Sequence, residues 1–161
     1  MQITLTLNDE RIDFEADAEE SLLDVLRERR LFKVKCGCRE GHCGSCMVLL
    51  DNKPVPSCII PIGILRNASV ETLEHFTSNP IYLDIMAGFK EAGVTLCGYC
   101  DAGKILTAYD LLHSYPRASI EQIKEAIKRL DSCCTDSETL INGILYSIAA
   151  KHRREASYGR K

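Results

Sequence analysis

The sequence has no apolar stretch that approaches the length needed to cross a bilayer, and its longest apolar run, CIIPIGIL at 58–65, is also interrupted by Pro61. The first ten residues, MQITLTLNDE, have neither the basic start nor the apolar core of a signal peptide. We therefore expect a cytoplasmic chain without a membrane partner. The 20 lysines and arginines do not exceed the 23 acidic residues, and the net charge of −3 argues against a nucleic-acid partner.

The sequence also lacks the residue sets of a catalytic centre. It contains no nucleophile placed beside a base, no phosphate-binding loop and no paired carboxylates, so we expect the chain to make or break no covalent bonds itself. Cysteine, by contrast, is abundant, with nine in 161 residues. Disulfides are rare in cytoplasmic proteins, so these thiols indicate metal binding or a redox function.

The first cysteine set has the spacing C-x4-C-x2-C, with a fourth cysteine farther along the chain. This spacing is typical of plant-type [2Fe–2S] sites, in which three thiolates lie on one loop and the fourth comes from beyond it. Zinc sites usually pair cysteines as two C-x2-C units, and disulfides would require an exported chain. The predicted cluster ligands are Cys38, Cys43, Cys46 and Cys58.

Three glycines, Gly37, Gly41 and Gly44, punctuate this loop. We expect them to provide positive φ angles and room for close approach, since glycine has no Cβ. The amide groups freed in such a loop are expected to point at the cluster sulfurs, which is one way to set a reduction potential.

The first half of the chain has the pattern of a small mixed domain. Alternating residues and turn signals predict strands at 2–7, 11–14, 47–50, 53–56 and 69–73, and a helix capped by Ser21 and Asp24. Strands, one helix and a cysteine loop predict a β-grasp, ferredoxin-like domain over residues 1–75. A cluster there would add stability to a domain that is too small to be more than marginally stable by burial of apolar surface alone.

The sequence pattern predicts that the second half of the chain is almost entirely helical. Helices are predicted at 82–92, 103–114, 119–130 and 137–150, with Gly93 as a C-terminal stop and Ser119 with Gln122 as a capping box. They predict a four-helix bundle over residues 76–161, so the fold class is α+β. The basic tail from Lys151 is expected to be a solvated end.

A second cysteine set lies in the loops of this bundle. Cys97 and Cys100 fall between its first and second helices, and Cys133 and Cys134 fall between its third and fourth. A single C-x2-C is weak evidence by itself. Together, however, the two pairs can converge on one metal centre.

These motifs resemble the small iron–sulfur subunit of the molybdenum hydroxylases, the xanthine dehydrogenase and aldehyde oxidoreductase family. The matching stretches are GCREGHCGSCMVLLDNKPVPSC at 37–58, CGYCDAG at 97–103 and SCCT at 132–135. The resemblance implies two [2Fe–2S] clusters in an electron-transfer subunit. It also implies a large molybdopterin-binding subunit and an FAD-binding subunit as partners, with electrons passing from molybdenum through both clusters to the flavin.

The chain departs from the family pattern around the second cysteine set. The family has C-x-C where this chain has Ser132-Cys133-Cys134, so the fourth ligand is either Cys133, which soft iron favours, or Ser132. Leu96 replaces a glutamine that contacts the pterin in the family. The dipeptides Asp101-Ala102 and Asp136-Ser137 also depart from it.

Two alternatives remain open from the sequence. One is a docking or assembly module in which only the N-terminal cluster is retained, because the second ligand set is irregular. The other is a stand-alone ferredoxin, although a free carrier does not need the additional bundle.

Overall fold

A computed structural model of the chain describes residues 1–131 and 134–159. Its strands are β1 (Gln2–Leu7), β2 (Glu10–Glu15), β3 (Met47–Leu50), β4 (Lys53–Pro56) and β5 (Ser69–Glu71). Its helices are α1 (Leu22–Glu28), α2 (Leu73–Phe76), α3 (Pro80–Ala92), α4 (Asp101–Ser114), α5 (Ile120–Ile127) and α6 (Ser137–Tyr158). None of the helices in the described part of the chain has the length and apolar character needed to span a membrane.

The five strands form one mixed sheet in the order β2-β1-β5-β3-β4. β1 pairs antiparallel with β2 and parallel with β5, while β3 pairs antiparallel with both β5 and β4. The alternation in β1 buries Ile3, Leu5 and Leu7, which share a core with α1. Strand β4, which contains two prolines, lies at the sheet edge as predicted.

The last strand is shorter than predicted. It ends at Glu71, because the amide of Thr72 donates to Asn8 Oδ1 at 2.9 Å and Thr72 becomes the N-cap of α2. The prediction of strand through residue 73 was therefore wrong. The side chains of Leu73 and Phe76 pack in the core of the helical half instead.

Helices α3, α4, α5 and α6 form the predicted bundle. The stop at Gly93 is confirmed, with a φ of 76°, and so is the capping box of Ser119 and Gln122. Helix α5 ends at Ile127, three residues earlier than predicted. Gly88 of α3 lies directly against Ser147 of α6, where a Cβ would come within 2.6 Å of the Ser147 Cα.

Most of the described basic tail is exposed, as expected of a solvated end, but two of its residues, Lys151 and Arg154, are partly buried and hold it in place. Helix α6 continues through it to Tyr158. Within it, Arg154 binds the buried carboxylate of Asp84 on α3 through Nε (3.0 Å) and Nη2 (2.7 Å). Lys151 donates to the carbonyl of Leu112 at 2.7 Å. The tail therefore anchors α6 to α3 and α4.

The two halves of the molecule are packed together. Leu49 of β3 belongs to the core of the bundle, and Met47 packs against that core. Lys53 of β4 forms an ion pair with Asp110 of α4 at 3.0 Å. These contacts fix the β3–β4 hairpin against α4.

Candidate metal centres

The first predicted site is formed by the loop between α1 and β3. Cys38, Cys43 and Cys46 lie on this loop, and Cys58 lies on the 3₁₀ turn Ser57–Ile59 that follows β4. None of the four forms a disulfide. The structure thus brings the fourth predicted ligand back to the loop through the β3–β4 hairpin.

The glycines of the loop act in two ways. Gly41 and Gly44 have φ angles of 81° and 75°, as expected. Gly37 does not have a positive φ, which corrects that prediction. It is required instead by close approach, because a Cβ there would lie 2.6 Å from the Cys43 Sγ.

The backbone amides of the loop point at sulfur, as expected. The amides of Cys38 and Cys43 each donate to the other's Sγ at 3.4 Å, and the amide of Glu40 donates to Cys38 Sγ at 3.3 Å. Burial raises the pKa of Cys38, but the amides of Cys43, Glu40 and His42 outweigh it and lower the pKa to about 6. The thiolate that iron needs is therefore favoured near neutral pH.

Cys46 and Cys58 form a second, less hydrated pair. Burial, followed by the neighbouring Cys46 thiol, raises the pKa of Cys58 to about 12. Metal binding there must displace a proton. Two pairs of thiols, Cys38 with Cys43 and Cys46 with Cys58, fit a cluster whose two irons each take two protein ligands.

A buried hydroxyl supports the same fit. Ser45 is fully buried between Cys43 and Cys46, and its Oγ has no hydrogen-bond partner among the described residues. Such an atom is costly unless something else accepts its proton. The inorganic sulfide of a cluster would supply that acceptor.

The second predicted site lies where two loops of the bundle meet, the one between α3 and α4 and the one between α5 and α6. The Sγ atoms of Cys97, Cys100 and Cys134 all lie within 4.8 Å of one another. Cys97 is exposed, Cys134 is half-buried and Cys100 is buried at the N-cap of α4. The remaining candidates, Ser132 and Cys133, lie outside the described residues. Three thiols at this separation fit an iron site whose fourth protein ligand is one of these two residues.

The loops of the second site are joined by Thr135, which the sequence analysis missed. Its Oγ1 donates to the carbonyl of Thr95 at 2.8 Å and accepts from the amide of Thr95 at 2.9 Å. Cys134 Sγ also contacts the Thr95 carbonyl, at 3.1 Å. A threonine directly after the last cysteine was the only sequence signal.

Two departures from the family pattern have local roles in the structure. Asp101 accepts hydrogen bonds from the amide of Gly98 at 3.0 and 3.2 Å, which fixes the turn between Cys97 and Cys100. Asp136 caps α6 by accepting from the amide of Thr139 at 2.9 Å. Both carboxylates thus order the backbone beside a cysteine.

Lys104 is the second residue that the sequence analysis missed. It is only 2% exposed, and its Nζ lies 3.1 Å from Cys100 Sγ and 3.0 Å from Cys134 Sγ. Burial lowers the pKa of Lys104, but its hydrogen bonds to Cys134 and Cys100 outweigh this and raise it above the usual value. Its place four residues after Cys100, inside the apolar stretch AGKILTA, was the available signal.

The two sites are neighbours. The chain of Gly44, in the first loop, touches Gly103 at the start of α4, where a Cβ would lie 2.9 Å from the Gly44 Cα. Tyr99, between Cys97 and Cys100, donates its hydroxyl proton to the carbonyl of Cys36 at 3.2 Å. The loops that carry the two cysteine sets are therefore in direct contact.

Comparison with protein families matches both halves of the chain. Residues 5–65 match the family described as a 2Fe-2S iron–sulfur cluster binding domain. Residues 70–145 match the family described as a [2Fe-2S] binding domain. Each match contains one of the two cysteine sets.

The chain is also similar to small subunits of known enzymes. It is 35% identical to the nicotinate dehydrogenase small FeS subunit of Eubacterium barkeri, over 91% of this chain and 94% of that one. It is 30% identical to the nicotine 6-hydroxylase small subunit of Paenarthrobacter nicotinovorans, over 90% and 88% of the two chains.

A solved structure shares the whole fold. A chain of quinoline 2-oxidoreductase from Pseudomonas putida 86 superposes with a TM-score of 0.80 at 31% identity, covering 94% of this chain and 96% of that one. The fold, the matches to two cluster-binding domains and the relatives all indicate the same family. The chain therefore belongs to the molybdenum hydroxylase family as a small iron–sulfur subunit, which carries two [2Fe–2S] clusters and transfers electrons without catalysing the reaction itself.

Proposed function

We propose that each cysteine set holds one cluster, with the domains divided near residue 75 into 1–75 and 76–161. The first cluster is held by Cys38, Cys43, Cys46 and Cys58. The second is held by Cys97, Cys100, Cys134 and Cys133. The paired thiols of the first loop and the converging sulfurs of the bundle support this assignment.

The fourth ligand of the second cluster is the least constrained part of the proposal. Cys133 is preferred to Ser132 because iron in these clusters favours thiolate over a hydroxyl oxygen. Substitution of Cys133 by Ala should abolish the bundle cluster, whereas substitution of Ser132 by Ala should leave it intact. The reverse pattern in the electron paramagnetic resonance (EPR) spectrum would make Ser132 the ligand.

The relatives named as small subunits support the presence of partner subunits. We propose a large subunit that carries molybdopterin and a further subunit that carries FAD, with electrons passing from molybdenum to the bundle cluster, then to the first cluster and then to the flavin. The direct contact between Gly44 and Gly103 supports transfer between the two clusters. Because Leu96 stands where the family has a glutamine, the pterin contacts of this chain must differ.

The substrate of the assembled enzyme is proposed to be a nitrogen-containing aromatic ring. Three relatives are named for nicotinate, nicotine and quinoline, and all three compounds contain such a ring. The substrate would bind the large subunit, since this chain offers no catalytic set. A cytoplasmic location is proposed as well, because the many thiols require a reducing compartment.

The observation that carries the proposal is the presence of two thiol clusters on loops in direct contact. The test is anaerobic addition of nicotinate, with quinoline in parallel, to the complex purified through this chain. Reduction of both clusters, seen as two EPR signals, is expected with at least one compound. A complex that shows only one cluster signal after chemical reduction would favour the docking module, and a chain that purifies alone would favour the stand-alone ferredoxin.

A further inference from the structure

Lys104 is a buried cation within the second cysteine set. It is 2% exposed, in the first turns of α4, and its Nζ is within hydrogen-bond distance of the sulfurs of Cys100 (3.1 Å) and Cys134 (3.0 Å). Lysine is rarely buried to this extent unless an anionic partner compensates for lost hydration. The two sulfurs would be such partners when they bind iron as thiolates.

Helical geometry fixes the position of this charge. Cys100 is the N-cap of α4, and Lys104 follows it by four residues, so the two side chains lie on one face of the helix. Ala102 and Ile105 beside it are buried, and they limit its access to water. A charge held in a poorly hydrated site interacts more strongly with its neighbours than a surface charge does.

We propose that Lys104 is a positioning residue for the second cluster, which donates hydrogen bonds to the ligand sulfurs of Cys100 and Cys134 and raises the reduction potential of that cluster. This inference rests on the ligand assignment proposed above. Reduction adds one electron, and therefore one negative charge, to the cluster without a change in its bonds to the protein. A fixed positive charge beside the ligand sulfurs stabilises the reduced form more than the oxidised form.

The consequence for the electron path is specific to the bundle. With Lys104 in place, the second cluster becomes a better acceptor of electrons from the partner's molybdenum centre. The first cluster, whose ligand sulfurs receive backbone amides instead, should be unaffected. An ammonium thus contributes to the tuning of the second cluster, and backbone amides contribute to that of the first.

The test is a redox titration of the assembled complex, followed by EPR, with Lys104→Met. The bundle signal is identified as the one that Cys100→Ser removes. In this variant we expect the equilibrium constant for reduction of the bundle cluster to fall at least tenfold. For a one-electron couple this lowers the reduction potential by 59 mV, and the potential of the first cluster should not change. An unchanged bundle potential would overturn the proposal.

Lys151→Met is the matched control. Lys151 is also a largely buried lysine of the bundle, but its Nζ donates to the Leu112 carbonyl, eight residues or about 12 Å farther along α4 than Lys104. Both potentials should remain at their wild-type values in this variant. A shift of the bundle potential as large as that of Lys104→Met would show a general packing effect and contradict the proposal.

Lys104→Arg decides the case in which Lys104→Met fails to hold the bundle cluster. If Lys104→Arg retains that cluster, with an equilibrium constant for reduction within threefold of wild type, the need for a positive charge is supported. Loss of the cluster in Lys104→Arg, or a tenfold lower equilibrium constant for its reduction, would overturn the proposal. Absence of the bundle signal from the wild-type complex would instead refute the proposed ligand assignment, so the two failures are distinguishable.

Discussion

Removal of the Thr135 hydroxyl should loosen the bundle cluster without affecting the first cluster. Thr135→Val keeps the shape of the side chain but deletes the two hydrogen bonds that join it to the backbone of Thr95, at 2.8 and 2.9 Å. Each such bond contributes about 0.5–1.5 kcal/mol, for a total of about 1–3 kcal/mol. Since Thr95 is exposed and water can replace part of this, a loss of about 1–2 kcal/mol is expected, or roughly 5–30-fold in cluster retention.

The assay is the rate at which each cluster is lost to an iron chelator, followed by the decay of its EPR signal after reduction. The bundle cluster of Thr135→Val should be lost roughly 5–30-fold faster than in wild type, which overlaps the roughly 10–100-fold loss of affinity typical of residues that orient metal ligands. The first cluster serves as an internal reference in the same sample. Thr135→Ser is the matched control, because it retains the hydroxyl and should lose the bundle cluster at nearly the wild-type rate. The reasoning would be refuted if the valine variant matched wild type or if the serine and valine variants were equally fast.

Four further predictions test other parts of the structure. Cys43→Ser should eliminate the first cluster signal while the bundle signal persists, and an unchanged spectrum would exclude Cys43 as a ligand. Ser45→Ala should lower the reduction potential of the first cluster, because it removes a buried hydroxyl that has no acceptor among the described residues and that would donate a hydrogen bond to the cluster. A redox titration that shows no shift would contradict this. Gly88→Ala should destabilise the bundle by about 1–3 kcal/mol in urea unfolding, since its Cβ would meet the Ser147 backbone, and wild-type stability would show that α3 and α6 can separate at no cost. Asp84→Asn should cost about 2–3 kcal/mol in the same measurement, less than the loss of a fully buried ion pair because Arg154 is partly solvated, and no loss would show that this ion pair does not anchor the tail.

Much of the fold was predictable because it depends on local patterns. The alternation of β1, the Gly93 stop and the capping box at Ser119 each require only a few neighbouring residues, and all three are confirmed. The cysteine spacing predicted which thiols would lie together. Of the residues described, Cys97, Cys100 and Cys134 do converge.

The missed features depend on residues that are distant in sequence. The end of β5 coincides with a hydrogen bond from Thr72 to Asn8, 64 residues away, and the tail is held to α3 by the pairing of Arg154 with Asp84, 70 residues away. A local pattern contains neither partner. Lys104 was missed for a related reason, since the sulfur of Cys134 reaches it from another loop.

The most direct measurement is the count of iron and acid-labile sulfide in the complex purified anaerobically through this chain. Two [2Fe–2S] clusters predict four irons and four sulfides for each copy of the chain, in addition to any that the partner subunits hold. A count of two irons and two sulfides would leave one cysteine set empty, and zinc in place of iron would contradict the account of both sites.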